Sequence, residues 1–337
     1  MGKGVFAMKQ PVKLMMIGSG LAALGAVALG SASVAITGKL VRIALDRDLP
    51  ARMDPQGKNR DRIAGSAGDL GYMEDLRQAG LRLQRERLER VTLLARDGER
   101  LVGHWRPCEK PRRVILAMHG WRSSWHRDFG IIADFWKDNG CSVLFAEQRG
   151  QGNSGGAYMG FGMTERYDCL DWVRWINSRT GGRLPVYLGG VSMGAATVLM
   201  AAGLDLPENV KGIVADCGFT SAREIWKHVA RNNLHLAYGH RAALVDALCQ
   251  KRIQLRSDAC SAPEALRKTK IPVLLIHGTD DSFVPVEMTY ENYKACGGPR
   301  KLLVVPGAGH GESYLKDPEG YRRAMLDFWK ENDSIAT

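Results

Sequence analysis

Short, continuously apolar runs alternate along this chain with longer stretches whose apolar residues recur at helical spacing. The first pattern marks buried strands and the second amphipathic helices. Val114–Met118, Ser142–Ala146, Pro185–Leu188, Val210–Ala215, Ile271–Ile276 and Lys301–Val305 read as strands. Phe129–Lys137, Thr164–Ser178, Ala195–Ala202, Val286–Lys294 and Tyr321–Trp329 read as the helices between and after them. Upstream, Val91–Ala95 and Arg100–Trp105 flank Asp97-Gly98, a hairpin signal. Strands that alternate with helices predict an α/β fold, with a mainly parallel, twisted sheet and helices on both faces. In such sheets ligands bind beyond the carboxyl ends of the strands.

The pattern changes toward the amino terminus. Leu14–Thr37 carries no charge and follows Lys3, Lys9 and Lys13. At about 1.5 Å per residue, it is long enough to cross a bilayer as a helix. It exceeds the apolar core of an ordinary signal peptide, although Ser33-Val34-Ala35 would serve as a cleavage site. Lys39, Arg42, Arg47 and Arg52 follow closely, so positive charge nearly balances across the run. The short basic tail favours an extracytoplasmic catalytic domain; the free cysteines argue mildly the other way. Leu49–Gly71 is polar and reads as a linker, and Leu76–Leu88 as an amphipathic helix. The expected division is a membrane anchor at 1–40, a linker and amphipathic helix at 41–88, and a catalytic domain at 89–337. A single-pass anchor places the protein at the cell membrane.

Composition narrows the function classes. The net charge of +11 invites a nucleic-acid or lipid partner, but Lys and Arg are spread along the chain without a nucleic-acid-binding motif. No nucleic-acid partner is expected. The seven cysteines are scattered singly with no C-x-x-C, which argues against a disulfide framework or a metal centre. His228, His235 and His240 cluster in sequence but lack carboxylate or cysteine partners. Neither metal nor cofactor is expected.

The chemistry centres on Gly190-Val191-Ser192-Met193-Gly194, a G-x-S-x-G between a strand and a small-residue helix. That context is what a nucleophile elbow requires, and the two glycines let strand and helix approach closely. A serine hydroxyl needs a base, and the base an orienting carboxylate. The loop after Ile276 supplies Asp280 and Asp281, and the Gly-rich loop after Val305 supplies His310. The order Ser, Asp, His follows. Asp216, after an earlier strand, is a further candidate for the acid. Oxyanion donors are expected from the backbone N–H groups of Met193 and Trp121, with His119 shaping the loop.

These motifs resemble the α/β-hydrolase superfamily, specifically bacterial membrane-anchored, cell-surface hydrolases related to the Bem46-like and prolyl-oligopeptidase-like branch. The resemblance runs from about Val91 to Trp329. It is carried by Asp97-Gly98, His119-Gly120-Trp121, Gln148 to Ser154, Gly162 to Asp168, the elbow, Gly218 to Ser221, and the Asp and His loops. It implies the α/β-hydrolase fold, with residues 218–270 as a small helical cap. In resembling proteins the acid lies two residues before the position of Phe283, which selects Asp281. Relatives often carry histidine where this chain has Gln151, a departure outside the triad. The implied activity is that of a serine hydrolase cleaving small-molecule carboxylic esters through an acyl-enzyme. The alternatives are a peptidase or acylaminoacyl-type hydrolase, or a non-catalytic membrane-tethered binding module. The absence of a propeller-sized domain argues against an oligopeptidase, and the intact triad positions against a degraded module.

Overall fold

The computed structural model describes residues 31, 33–48 and 70–333. Eight strands form one sheet: β1 (Glu89–Leu94), β2 (Arg100–Arg106), β3 (Arg113–Met118), β4 (Cys141–Glu147), β5 (Val186–Val191), β6 (Val210–Asp216), β7 (Val273–Gly278) and β8 (Arg300–Val305). Their order across the sheet is β1-β2-β4-β3-β5-β6-β7-β8. β1 and β2 form the expected hairpin, β2 pairs antiparallel with β4, and the rest is parallel. The central strands β3, β4 and β7 are buried along their whole length, which is why they read as unbroken apolar runs. Apolar clusters lie on both faces: Leu116, Leu188 and Val198 belong to one, Phe145, Tyr187 and Trp329 to the other.

Two elements differ from the sequence pattern. The expected helix Phe129–Lys137 is two, Trp125–Phe129 and Ala133–Asp138. Its break lies at Gly130, where a Cβ would come within 2.6 Å of the Ala79 carbonyl carbon. Ala79 belongs to the amphipathic helix, Leu70–Arg85, which buries Ala79 and Leu83 against this turn. Secondly, the last helix of the cap insertion, Ala262–Lys268, belongs to the core. A Cβ on Gly203, just after the elbow helix, would lie 2.9 Å from the Cβ of Ala265. The cap proper comprises Ala222–His228, a π-helical turn Val229–Asn233, a short turn Gly239–Arg241 and Ala242–Ile253.

Most of the apolar run Leu14–Thr37 lies outside the described residues. Among the described residues, no helix is long and apolar enough to cross a membrane, so the expected transmembrane helix has no counterpart there. Residues 33–45 are helical and dock onto the hydrolase unit, burying Val41 and Leu45 in the same core as the elbow. The following residues run beside the loop after β4: Arg47 donates its N–H to the Ala157 carbonyl at 2.9 Å, and Met159 to that of Leu45 at 2.7 Å. Residues 41–48, expected in a linker, thus share a core with the domain expected to begin at 89.

Candidate active site

The elbow is built by close approach. A Cβ on Gly190 would lie 2.6 Å from the Ala195 nitrogen, and one on Gly194 only 2.5 Å from the Met118 carbonyl carbon. Strand β5, strand β3 and helix Met193–Ala201 therefore converge at a distance that excludes any side chain there. Ser192 takes up the turn at φ 55°, ψ −117°. A non-glycine residue with such angles is strained, and surrounding structure must hold it. Here its N–H donates to the Asp216 carbonyl at 2.9 Å, and its carbonyl accepts from Ala196 at 3.0 Å.

Two further loops meet Ser192. Strands β7 and β8 run in parallel register, Gly278 opposite Val305, and the loops leaving them are laced together. The Asp280 N–H donates to the Ala308 carbonyl at 2.9 Å, and that of Gly307 to the Thr279 hydroxyl at 2.8 Å. Gly278 permits this, since a Cβ there would reach within 2.6 Å of the Ala308 carbonyl carbon. The result is one line of hydrogen bonds. His310 Nε2 lies 2.9 Å from Ser192 Oγ, and His310 Nδ1 lies 2.7 Å from Asp281 Oδ2. The other oxygen of Asp281 accepts the N–H groups of Phe283 at 2.9 Å and Val284 at 2.8 Å. The ring of Phe283 meets that of His310 edge-on, centroids 5.0 Å apart.

Of the three candidate acids, only Asp281 reaches the histidine. Asp280 is exposed and accepts from the Thr279 hydroxyl at 2.7 Å. Asp216 is buried and accepts from Ser313 Oγ at 2.9 Å. Burial lifts its carboxyl to about 6, opposed by the Ser313 hydroxyl and the imidazoles of His277 and His310. Burial also pushes the Asp281 carboxyl up. There, however, the charge of His310 and hydrogen bonds from His277 and His310 prevail, holding it well below the usual carboxylate range. Reciprocally, burial alone would depress His310, but Asp281 raises it well above the ordinary imidazole value.

His277 was not singled out by the sequence, which placed it at the start of a loop. It lies within β7 and is fully buried. Its Nε2 stands 3.1 Å from Asp281 Oδ2 and 2.8 Å from the Val284 carbonyl. Both are acceptors, so this nitrogen carries the proton. The available signal was a histidine ending a buried strand four residues before the acid. Cys217, also unforeseen, sits behind His310 at φ 49°, and burial raises its thiol to about 11.

Met193 is the first residue of its helix, so its N–H has no intrahelical acceptor. Trp121 follows Gly120, where a Cβ would lie 3.4 Å from that of Ser192. The Gly120 N–H donates to Asp128 Oδ2 at 2.7 Å. His119 is buried, with Nδ1 2.9 Å from the Gly120 carbonyl and Nε2 accepting from the Gln148 N–H at 3.1 Å. This bonding shapes the loop. Farther out, Arg149 joins Asp168 at 2.6 Å and Asp97 at 2.7 Å, tying three of the sequence motifs into one support. Among the described residues, the one cluster with metal-ligand spacing is Cys217, Asp281 and His310, which is this site itself. His228 instead faces the Ser282 carbonyl at 3.3 Å, and His240 faces Ser33 at 3.4 Å.

Comparison with known proteins agrees with this architecture. Residues 109–258 match the family model described as serine aminopeptidase, S33, and residues 235–330 match that described as TAP-like protein. The uncharacterized protein YqkD of Bacillus subtilis is 30% identical over 232 residues, spanning 68% of this chain and 75% of its own length. The lysophosphatidylserine lipase ABHD12 of Danio rerio is 28% identical over 219 residues, 63% of this chain but only 54% of that protein. Among solved structures, the Pyrococcus furiosus esterase Pf2001 is similar at a TM-score of 0.60 and 20% identity, covering 77% of this chain and 94% of its own. With its sheet order, its elbow and these relatives, the chain belongs to the α/β-hydrolase superfamily.

Proposed function

We propose that this protein is a serine hydrolase that cleaves carboxylic esters through an acyl-enzyme. The observation that carries the reading is the unbroken line Asp281–His310–Ser192, ending on a serine held at φ 55°. Ser192 Oγ attacks the ester carbon while His310 Nε2 takes its proton. The N–H groups of Met193 and Trp121 face the developing oxyanion. The bond to the alcohol then breaks, and His310 returns the proton to the departing oxygen. Water, deprotonated by the same imidazole, then adds to the acyl carbon; the bond to Ser192 Oγ breaks, Oγ takes the proton back from His310, and the acid leaves. Asp281 holds the ring in the tautomer this needs and balances the imidazolium.

A fluorophosphonate probe tests the proposal, because an activated serine attacks phosphorus as it attacks a carbonyl. Wild-type protein should label covalently and Ser192→Ala should not; equal labelling of both would remove Ser192 from the role. The rate should also depend on pH. His310 must be neutral to act as base, and Asp281 raises its pKa. Labelling should therefore fall as pH drops through a value above the ordinary imidazole range. In Asp281→Asn the fall-off should move to lower pH. An unmoved limb would mean that another group sets it.

The proposal extends to location. The uncharged run that starts at Leu14 would anchor the chain in the cell membrane ahead of the docked helix 33–45, with the catalytic domain extracytoplasmic, as in the membrane-anchored, Bem46-like branch. Cysteines engineered at exposed positions of the hydrolase unit should react with an impermeant maleimide on intact cells. Protection until lysis would rule out the outward orientation.

A further inference from the structure

An apolar cavity of about 100 Å³ shares Phe283, which packs on His310, with the candidate active site. It lies between residues 37–44 of the N-terminal helix and the cap. Leu40 and Ile43 line it from the helix, and Val229 and Leu236 from the cap. Trp121 and Phe283 line it as well. Both belong to the reacting centre: Trp121 carries a proposed oxyanion donor, and Phe283 packs on His310. The helical wall is fixed in place. The Trp121 indole N–H donates to the Ala44 carbonyl at 2.9 Å, the Arg122 guanidinium to that of Ile43 at 2.8 Å, and Arg252 pairs with Asp46 at 2.7 Å.

We propose that this cavity receives the acyl chain of the ester, and that the helix 33–45 forms the wall that sets the chain length accepted. The substrates would then be esters of a single extended acyl chain. This rests on the ester-hydrolase reading above. The leaving alcohol takes its proton from His310, whose ring is partly open to solvent, and departs on that side. An apolar cavity between helix and cap suits the group that stays attached to Ser192. Each methylene buried there should raise kcat/KM about fourfold, the fold-change equivalent to about 0.8 kcal/mol. The rise should continue until the chain reaches the far end of the cavity. The segment emerging from the uncharged run would thereby act as a specificity element of the catalytic site.

The test uses the full-length chain and p-nitrophenyl esters from acetate to dodecanoate, which share one leaving group. Wild type should prefer a longer acyl chain over acetate. Leu40→Trp and Val229→Trp, filling the cavity from opposite walls, should each lower the octanoate-to-acetate ratio of kcat/KM by about tenfold or more, the worth of roughly two buried methylenes. Leu40→Ala should move the optimum to a longer chain. Should one tryptophan variant fail to fold by circular dichroism, the other and Leu40→Ala still decide. Acetate turnover with no chain-length preference, or ratios unchanged in the variants, overturns this inference and leaves the hydrolase reading standing. A preference that instead follows the alcohol in a series of alkyl acetates overturns the acyl assignment. No turnover of any ester, with no fluorophosphonate labelling, removes the hydrolase reading and this one with it.

Discussion

Replacing Asp281 by asparagine is expected to lower ester turnover by about two to four orders of magnitude, the scale seen when a triad aspartate becomes its amide. The structure adds a reason beyond lost charge. All four partners of this carboxylate are donors: the rings of His310 and His277, and the N–H groups of Phe283 and Val284. An asparagine must turn its NH2 toward one pair of them, and either orientation sets donor against donor in a buried site. One orientation disorders the histidine, and the other frees the loop that positions it. Asp281→Asn should therefore also lower the melting temperature. Asp280→Asn, at an exposed position, should change turnover by less than about tenfold, or roughly 1.4 kcal/mol. Asp216→Asn should stay within about the same tenfold limit, since its carboxylate serves Ser313. Steady-state kinetics on the three variants decide among them. A near-wild-type Asp281→Asn beside a crippled Asp216→Asn would move the acid to β6.

Gly194→Ala is expected to be the most destabilising single methyl in the molecule's centre. The added carbon would sit 2.5 Å from the Met118 carbonyl carbon and 2.8 Å from the His119 carbonyl oxygen. Both are backbone atoms at the end of β3, so no side chain can turn aside to make room. Overpacking of this kind reaches about 3 kcal/mol and occasionally more. Relief would require β3 to shift, carrying Gly120 and Trp121 away from Ser192, so turnover should fall together with stability. Gly38→Ala is the control. It lies in the helix 33–45 with nothing within 4 Å of the new methyl, and should be neutral or stabilising by about 0.5–1 kcal/mol. Thermal melts of the two variants test the contrast. A Gly194→Ala protein that melts with wild type would show that the elbow has slack.

Much of this was legible in the residues alone. A strand buried on both faces favours apolar residues along its centre, so β3, β4 and β7 announced themselves as apolar runs, with their buried polar residues Arg113, Ser142, Glu147 and His277 at or near the strand ends. The elbow was legible because its geometry admits only glycine at 190 and 194. Ser192, Asp281 and His310 were candidates because each follows a predicted strand, where an α/β sheet presents its chemistry. Choosing Asp281 over Asp280 needed a resemblance, because adjacent residues leaving a strand point in different directions and composition does not say which.

What the chain by itself determined was the alternation of strands and helices, the tight serine turn and the order of the polar loops. All three are local, set by side-chain period and by glycine's missing Cβ. Tertiary structure alone decided the rest. The helix break at Gly130 depends on a helix some fifty residues earlier that crosses it at backbone contact. The role of His277 depends on a strand end curling Asp281 back over it. The docking of residues 33–48 depends on an apolar face supplied by the cap and the loop after β4. An apolar residue reads the same in sequence whether its partner is lipid or protein, because burial removes it from water equally in both cases.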